Sequence, residues 1–198
     1  MRRFATETGR VEAFSDGVLA VIITIMVLEL RPPPDVSLRA MVAMLPSILT
    51  YALSFIFIGI YWNNHHHMLR ASRGVDGRSM WANLNLLFWL SLVPFSTAWL
   101  GRNPSATGPT VFYGIILLLA AVAYTLLQRA LLAVNGHNAP FAKAVEVDLK
   151  GRISIFLYLA SIAAALFSAI VADVLFVLVA VMWLVPDRRF EPLIDIER

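Results

Sequence analysis

The chain has 198 residues, of which 59% are apolar and 15% charged, with a formal net charge of +3. That balance, with a mean hydropathy of +0.74, excludes an ordinary water-soluble globule and places the chain in a bilayer, where the surplus charge reflects orientation and lipid headgroups and predicts no nucleic-acid partner. Cysteine is absent, so disulfides and thiolate metal sites are excluded and any metal would need His, Asp, Glu or Asn.

The apolar runs are continuous and rich in Leu, Ala, Ile and Val, not the ten-residue alternating segments of a lipid-facing barrel, so the expected fold is an all-α integral membrane protein forming one domain over 1–198. The opening stretch Met1 to Gly9 is polar, and the first run, 10–30, has no small-residue cleavage motif behind it; this span is expected to stay in the mature protein. Arg31-Pro32-Pro33-Pro34-Asp35 breaks the chain before a second span, about 39–64. A basic loop with Arg70, Arg73, Asp76 and Arg78 leads to the third, about 79–101, which closes at Gly101-Arg102-Asn103-Pro104. Pro46 and Pro94 are expected to kink these two spans. The fourth span, about 109–134, ends at Asn135-Gly136, and the polar segment after it, to Lys150, reads as interfacial.

The last run, Ile153 to Val185, would be about 50 Å as one helix, too long for one upright span. Loop charges arbitrate. With six spans and an internal amino terminus, thirteen Lys and Arg fall on the cytoplasmic side against three, Arg31, Arg39 and Arg102, on the other. A reversal near Ser168 to Asp173 is therefore expected, with Asp173 a turn residue at the outer surface, spans at 152–169 and 171–186, and both termini cytoplasmic.

An ionised side chain inside a membrane helix costs about 3 kcal/mol on insertion scales, so a first span that keeps Arg10 and Asp16 uses them. Glu12 and Asp16 share a face with Ser15 beside them, and Arg10 begins the helix. Arg10 and Asp16 are about 240° apart around it, so each should bond to another helix. The segments Tyr61 to His67 and Trp81 to Asn85 lie at a matching depth. Consecutive His65, His66 and His67 point about 100° apart and cannot jointly hold one ion, so no metal site is expected; the alternative for the cluster is a headgroup anchor.

Farther along, Phe14, Val18, Val21, Ile25 and Leu28 recur at spacings of four and three. That stripe either meets identical stripes of other subunits, closing or lining a pore, or simply faces lipid. Thr24, on the same side, either bonds back to a carbonyl or faces the pore. No Gly-rich phosphate loop, His-Glu-x-x-His helix, Gly-x-Ser-x-Gly elbow or Thr-Val-Gly-Tyr-Gly filter occurs; neither an enzyme nor a cofactor is expected, and ion selectivity would need another origin.

Arg10-x-x-x-Phe14-Ser15-Asp16-Gly17, then Ala20-Val21-x-x-Thr24-Ile25, Trp62-x-x-His65-His66 and Asn83 eleven residues before Pro94-Phe95 resemble the bacterial relatives of the lysosomal potassium channel, transmembrane protein 175. The resemblance implies a homotetramer of six-span subunits in a bacterial inner membrane, with no other protein partner. It also implies first helices around the ion path and potassium as the permeant ion, moderately preferred over sodium. Carried onto this chain, the pore-lining rings would be Val21, Thr24, Ile25 and Leu28, with Val21 standing where the family commonly has a bulkier aliphatic residue. Arg10, Ser15, Asp16, His65 and Asn83 would form the polar network joining the first three spans. The competing reading is a proton-coupled secondary transporter titrating Asp16, Glu12 and His65, although charges at one end and no evident internal repeat fit a carrier poorly. A non-transporting scaffold, using the network for packing alone, is a third.

Overall fold

The computed structural model describes residues 2–135, 139–146 and 148–184, with backbone alone at 2–7, 139–140, 144 and 146. Among these residues the regular structure is helical: α1 (Arg2–Leu28), α2 (Leu38–Ala43), α3 (Leu45–Ala71), α4 (Gly77–Ser91), α5 (Val93–Arg102), α6 (Thr107–Asn135), α7 (Ala139–Glu146), α8 (Leu149–Ala165) and α9 (Ala169–Leu184). Four stretches, Thr8–Leu28, Leu38–Ala71, Gly77–Arg102 and Thr107–Asn135, are long and apolar enough to cross a membrane, and Ala169–Leu184 is a shorter apolar helix.

The two expected proline kinks are helix restarts. Met44 and Leu92 sit at the junctions in αR geometry, and Pro46 and Pro94 fall in the first turn of α3 and α5, where a missing N–H is harmless. The first bond of each restarted helix is made to the junction residue's carbonyl, Ile48 N–H donating to Met44 O (3.0 Å) and Ser96 N–H to Leu92 O (3.1 Å). α3 continues to Ala71, past the expected end at 64, so the three histidines lie within a helix. α1 likewise includes the polar opening segment.

The final apolar run does break, but earlier than expected. α8 and α9 are separated by Leu166 to Ser168, and Trp183 Nε1–H donates to Ser154 Oγ (2.8 Å), tying the far end of α9 to the start of α8 as an antiparallel pair. Asp173 is therefore not a turn residue; it stands half-buried within α9. At 17 and 16 residues these helices are about 25 Å long, short of a hydrocarbon core of about 30 Å. The expected last two residues of that span, Val185 and Pro186, and the tail to Arg198 lie outside the described residues.

α6 is the central post. One core cluster packs Leu19, Ile22 and Met26 of α1 with Ile58, Met68, Leu86, Leu90 and Leu127. The other joins Phe57 of α3 to Tyr113 and Leu117 of α6, Tyr158 of α8 and Phe176 of α9. Hydroxyl groups bond between helices where lipid offers no water: Thr97 Oγ1 donates to Ser54 Oγ (2.7 Å), and Ser54 Oγ lies 2.9 Å from the Tyr113 hydroxyl, all three buried. At the other end Asn135 secures the α3–α4 loop, donating to Ser72 Oγ (2.9 Å) and Gly74 O (3.2 Å) and accepting from Arg73 N–H (2.8 Å). Asp76 caps α4 by accepting from Ser79 N–H and the Ser79 hydroxyl, both at 2.8 Å, which holds its carboxyl below the usual range.

Two glycines mark close helix approaches. A Cβ on Gly101 would stand 2.9 Å from Ser47 Cα, against backbone, whereas one on Gly114 would meet the side chains of Ile162, at 2.9 Å from Cγ1, and Phe176, at 3.2 Å from Cζ. Those two side chains can shift by a few tenths of an ångström, which the α3 backbone at Ser47 cannot do. Gly101→Ala is expected to destabilise by about 1–3 kcal/mol, while at Gly114 the gain of about 1 kcal/mol from replacing a helical glycine offsets the crowding. Thermal unfolding of both detergent-purified variants checks this; equal shifts would refute it.

Candidate functional site

α1 is divided lengthwise. Ser15, Leu19, Ile22 and Met26, spaced by four, three and four, are buried against α3, α4 and α5. On the opposite side Phe14 and Val21 are each 55% exposed, Ile25 44% and Leu28 79%, a mainly apolar face left largely open by the described residues. Val18, expected in this stripe, is half-buried against the core. Thr24 is exposed on the open side and its hydroxyl donates to Val21 O (2.9 Å), the local back-bond.

The polar residues of α1 fall into two groups. Ser15 Oγ–H donates to Val11 O (2.8 Å), so its oxygen must accept from Asn83 Nδ2–H (2.9 Å). That orients the Asn83 amide with Oδ1 toward His65 Nε2, 2.7 Å away. His65 Nε2 therefore carries the proton, and the three buried side chains form a directed chain from α3 through α4 to α1. In the second group Trp62 Nε1–H donates to Asp16 Oδ1 (3.0 Å), Glu12 Oε1 lies 2.7 Å from His66 Nδ1, and Arg70 Nε is 4.0 Å from the same oxygen. The Trp62 and His66 rings stack at 5.9 Å and 28°.

The expected network is thus brought together in part. Ser15, Asn83 and His65 join, and Asp16 bonds instead to Trp62. Arg10 belongs to neither group: it is exposed, has no ion-pair or hydrogen-bond partner among the described residues, and lines a groove of about 480 Å³ with Phe14, Asp76, Met80, Asn83 and Leu84. At the other end of α1, Glu29 pairs with Arg102 of α5 (2.7 Å). Sequence reasoning missed this pair and the contact between Glu12 and His66. Their only signal is opposite polarity at similar depth, which many pairs share.

A family model described as the endosomal/lysosomal potassium channel TMEM175 matches residues 10–94. A protein of Chryseobacterium sp. named as a potassium channel is 48% identical over 183 residues, 92% of this chain and 95% of that one. A Streptomyces collinus protein with the same kind of name is 34% identical over 71% of this chain and 75% of its own. The human endosomal/lysosomal proton channel TMEM175 is 38% identical over 82 residues, 33% of this chain and 16% of that one. Among solved structures, the crystal structure of a lysosomal potassium-selective TMEM175 homolog from Chamaesiphon minutus superposes with a TM-score of 0.79 at 30% identity, covering 90% of this chain and 96% of that one.

Removing the central amide strands a buried donor at His65, so Asn83→Leu should destabilise by about 1–3 kcal/mol. The pair His65→Phe with Asn83→Leu should cost less than the sum of the single changes, because no unpaired partner remains. A thermal-unfolding double-mutant cycle reads this directly, and simple additivity would contradict the chain.

Proposed function

The chain belongs to the endosomal/lysosomal potassium channel TMEM175 family, and from that premise we propose that it is a membrane-embedded potassium channel whose ion path is lined by α1. The carrying observation is the open apolar face of Phe14, Val21, Ile25 and Leu28, set opposite a buried polar attachment. A helix held on one side by specific hydrogen bonds and left apolar and uncovered on the other is built to meet copies of itself about an axis. Bacterial relatives of nearly the same length support potassium as the permeant ion, whereas the vertebrate relatives named for protons are matched over 27% of their own length or less.

In this reading each subunit crosses the membrane six times, through α1, α2 with α3, α4 with α5, α6, α8 and α9. Both termini are cytoplasmic, the membrane is the bacterial inner membrane, and the assembly is a homotetramer. Rings of Val21, Thr24, Ile25 and Leu28 take the place of a carbonyl filter. Four aliphatic side chains around an axis obstruct flow by dewetting, and a small rotation of α1 widens the ring, so selectivity follows ring diameter and dehydration cost. The charges sit at the two ends of α1 rather than at midplane between repeats, which favours a channel over a proton-coupled carrier.

Leu28→Ala and Val21→Ala are expected to raise potassium flux or weaken its preference over sodium in reconstituted vesicles and planar bilayers. Unchanged currents and reversal potentials in both variants would overturn the ring assignment. Asp16→Ala leaves the Trp62 indole without its acceptor and should lower the yield of assembled complex more than it alters selectivity. Mass determination of the complex in detergent, with four chains expected, checks both the assembly and this variant, and an undiminished yield would refute the latter claim.

A further inference from the structure

We propose that Glu12, Asp16 and His66 form a binding site for one divalent transition-metal ion of the zinc class, at the end of α1 that meets α3. One ligand atom from each residue lies within 4.8 Å of the others. The three come from two helices, with the carboxylates one turn apart on α1 and the imidazole on α3. The triplet of histidines gave no such site by itself, since consecutive helical side chains diverge by about 100°. His65 turns to Asn83, which leaves His66 to face the acidic pair. One imidazole suffices when α1 supplies the other ligands.

The electrostatics favour a cation here. Like charges at i and i+4 repel, and partial burial strengthens the repulsion. Arg70 compensates weakly, at 4.0 Å from Glu12 through a half-exposed side chain, and Asp16 receives only the neutral indole N–H of Trp62. Trp62 also acts as a supporting group of the kind metal sites use. It engages one Asp16 oxygen, leaving the second free, and its ring stacks on His66 and fixes the imidazole plane.

One nitrogen and two carboxylate oxygens suit Zn²⁺ or Co²⁺ and fit poorly to Mg²⁺, which prefers an all-oxygen octahedron. Ligands about 2.0–2.2 Å from a tetrahedral ion stand roughly 3–3.5 Å apart. Small rotamer changes suffice: Glu12 draws back slightly from 2.7 Å and Asp16 closes in. His66 and Glu12 side chains are 26% and 19% exposed, which provides an entry path and a position for a water ligand. A bound ion would fasten α1 to α3 and, if α1 lines the ion path as proposed above, slow its movement.

The test uses full-length, chelator-treated protein in detergent, titrated with ZnCl₂ by calorimetry and with CoCl₂ by visible absorption. One Zn²⁺ per chain is expected. Each of Glu12→Gln and His66→Asn should weaken binding by more than the roughly 10–100-fold that loss of a merely supporting group costs. His67→Asn should bind as the unaltered chain does. Co²⁺ should give the intense bands of a four-coordinate site with a nitrogen ligand, abolished by Zn²⁺ and untouched by Mg²⁺. Absence of saturable binding overturns the proposal, as does affinity unchanged in both ligand variants. If neither variant folds, the Co²⁺ spectrum of the unaltered chain decides, and a spectrum of hydrated Co²⁺ alone overturns it. Both readouts measure binding, so their failure leaves the channel reading standing, and loss of ion flux leaves this site standing.

Discussion

One buried amide, that of Asn83, decides how α1 stands against the rest of the subunit. Its nitrogen donates to Ser15 on α1 and its oxygen faces His65 on α3, at 2.9 and 2.7 Å. Apolar packing alone specifies little inside a bilayer, because lipid tails are as apolar as Leu19, Ile22 or Met26 and exchange with them at small cost. A buried amide without its partners costs about 1–3 kcal/mol per lost bond. A slip of α1 by one residue turns Ser15 by about 100° and strands it. The polar chain therefore supplies the register that the greasy contacts cannot, and the exposed face of Phe14, Val21 and Leu28 follows from it geometrically.

The attachment is uneven along the helix. Near one end α1 is held by Ser15 to Asn83, Asp16 to Trp62 and Glu12 to His66; at the other, Glu29 meets Arg102. Between them lie only the apolar contacts of Leu19, Ile22 and Met26, and the open side opposite carries Val21, Thr24 and Ile25. Hydrogen bonds and ion pairs thus hold the helix at its ends, and apolar packing alone holds its middle. The Glu29 pair is about half exposed on both sides, so it contributes on the order of 1 kcal/mol or less and yields first.

How far the sequence foretold this differs by type of feature. Runs of about 20 apolar residues identify membrane helices because the bilayer sets their length, and the long segments agree with the structure to within a few residues except where helices continue past polar ends, as α3 does beyond Asn64. Periodicity placed Ser15 on a face with a need for partners, and depth pointed to Asn83 and His65. Pairings between distant residues were not legible. A lone Ser54 or Thr97 in an apolar run says that a hydroxyl must bond somewhere, and a carbonyl one turn back is one local acceptor, whereas the structure joins both to other helices. The resemblance put Arg10 into the network, where the structure leaves it out, and Glu29 had no named partner.

Hydroxyls and one glycine make the far end of the bundle a firm wall for α1. α3 restarts at Met44, three residues before Ser47 meets Gly101 near the end of α5, and the meeting is close: a Cβ on Gly101 would stand 2.9 Å from Ser47 Cα, and Ser47 Oγ donates to Gly101 O at 2.9 Å. Deeper in, Thr97, Ser54 and Tyr113 extend that contact through α6. Each of these bonds joins groups with no water to turn to, so their exchange is costly in a way that the contacts of Met26 or Ile22 are not. Arg102, which follows Gly101, presents its guanidinium to Glu29 from this wall. At this end α1 therefore packs against a surface fixed by hydroxyls and a glycine, with Ile25 and Leu28 on its opposite, exposed side.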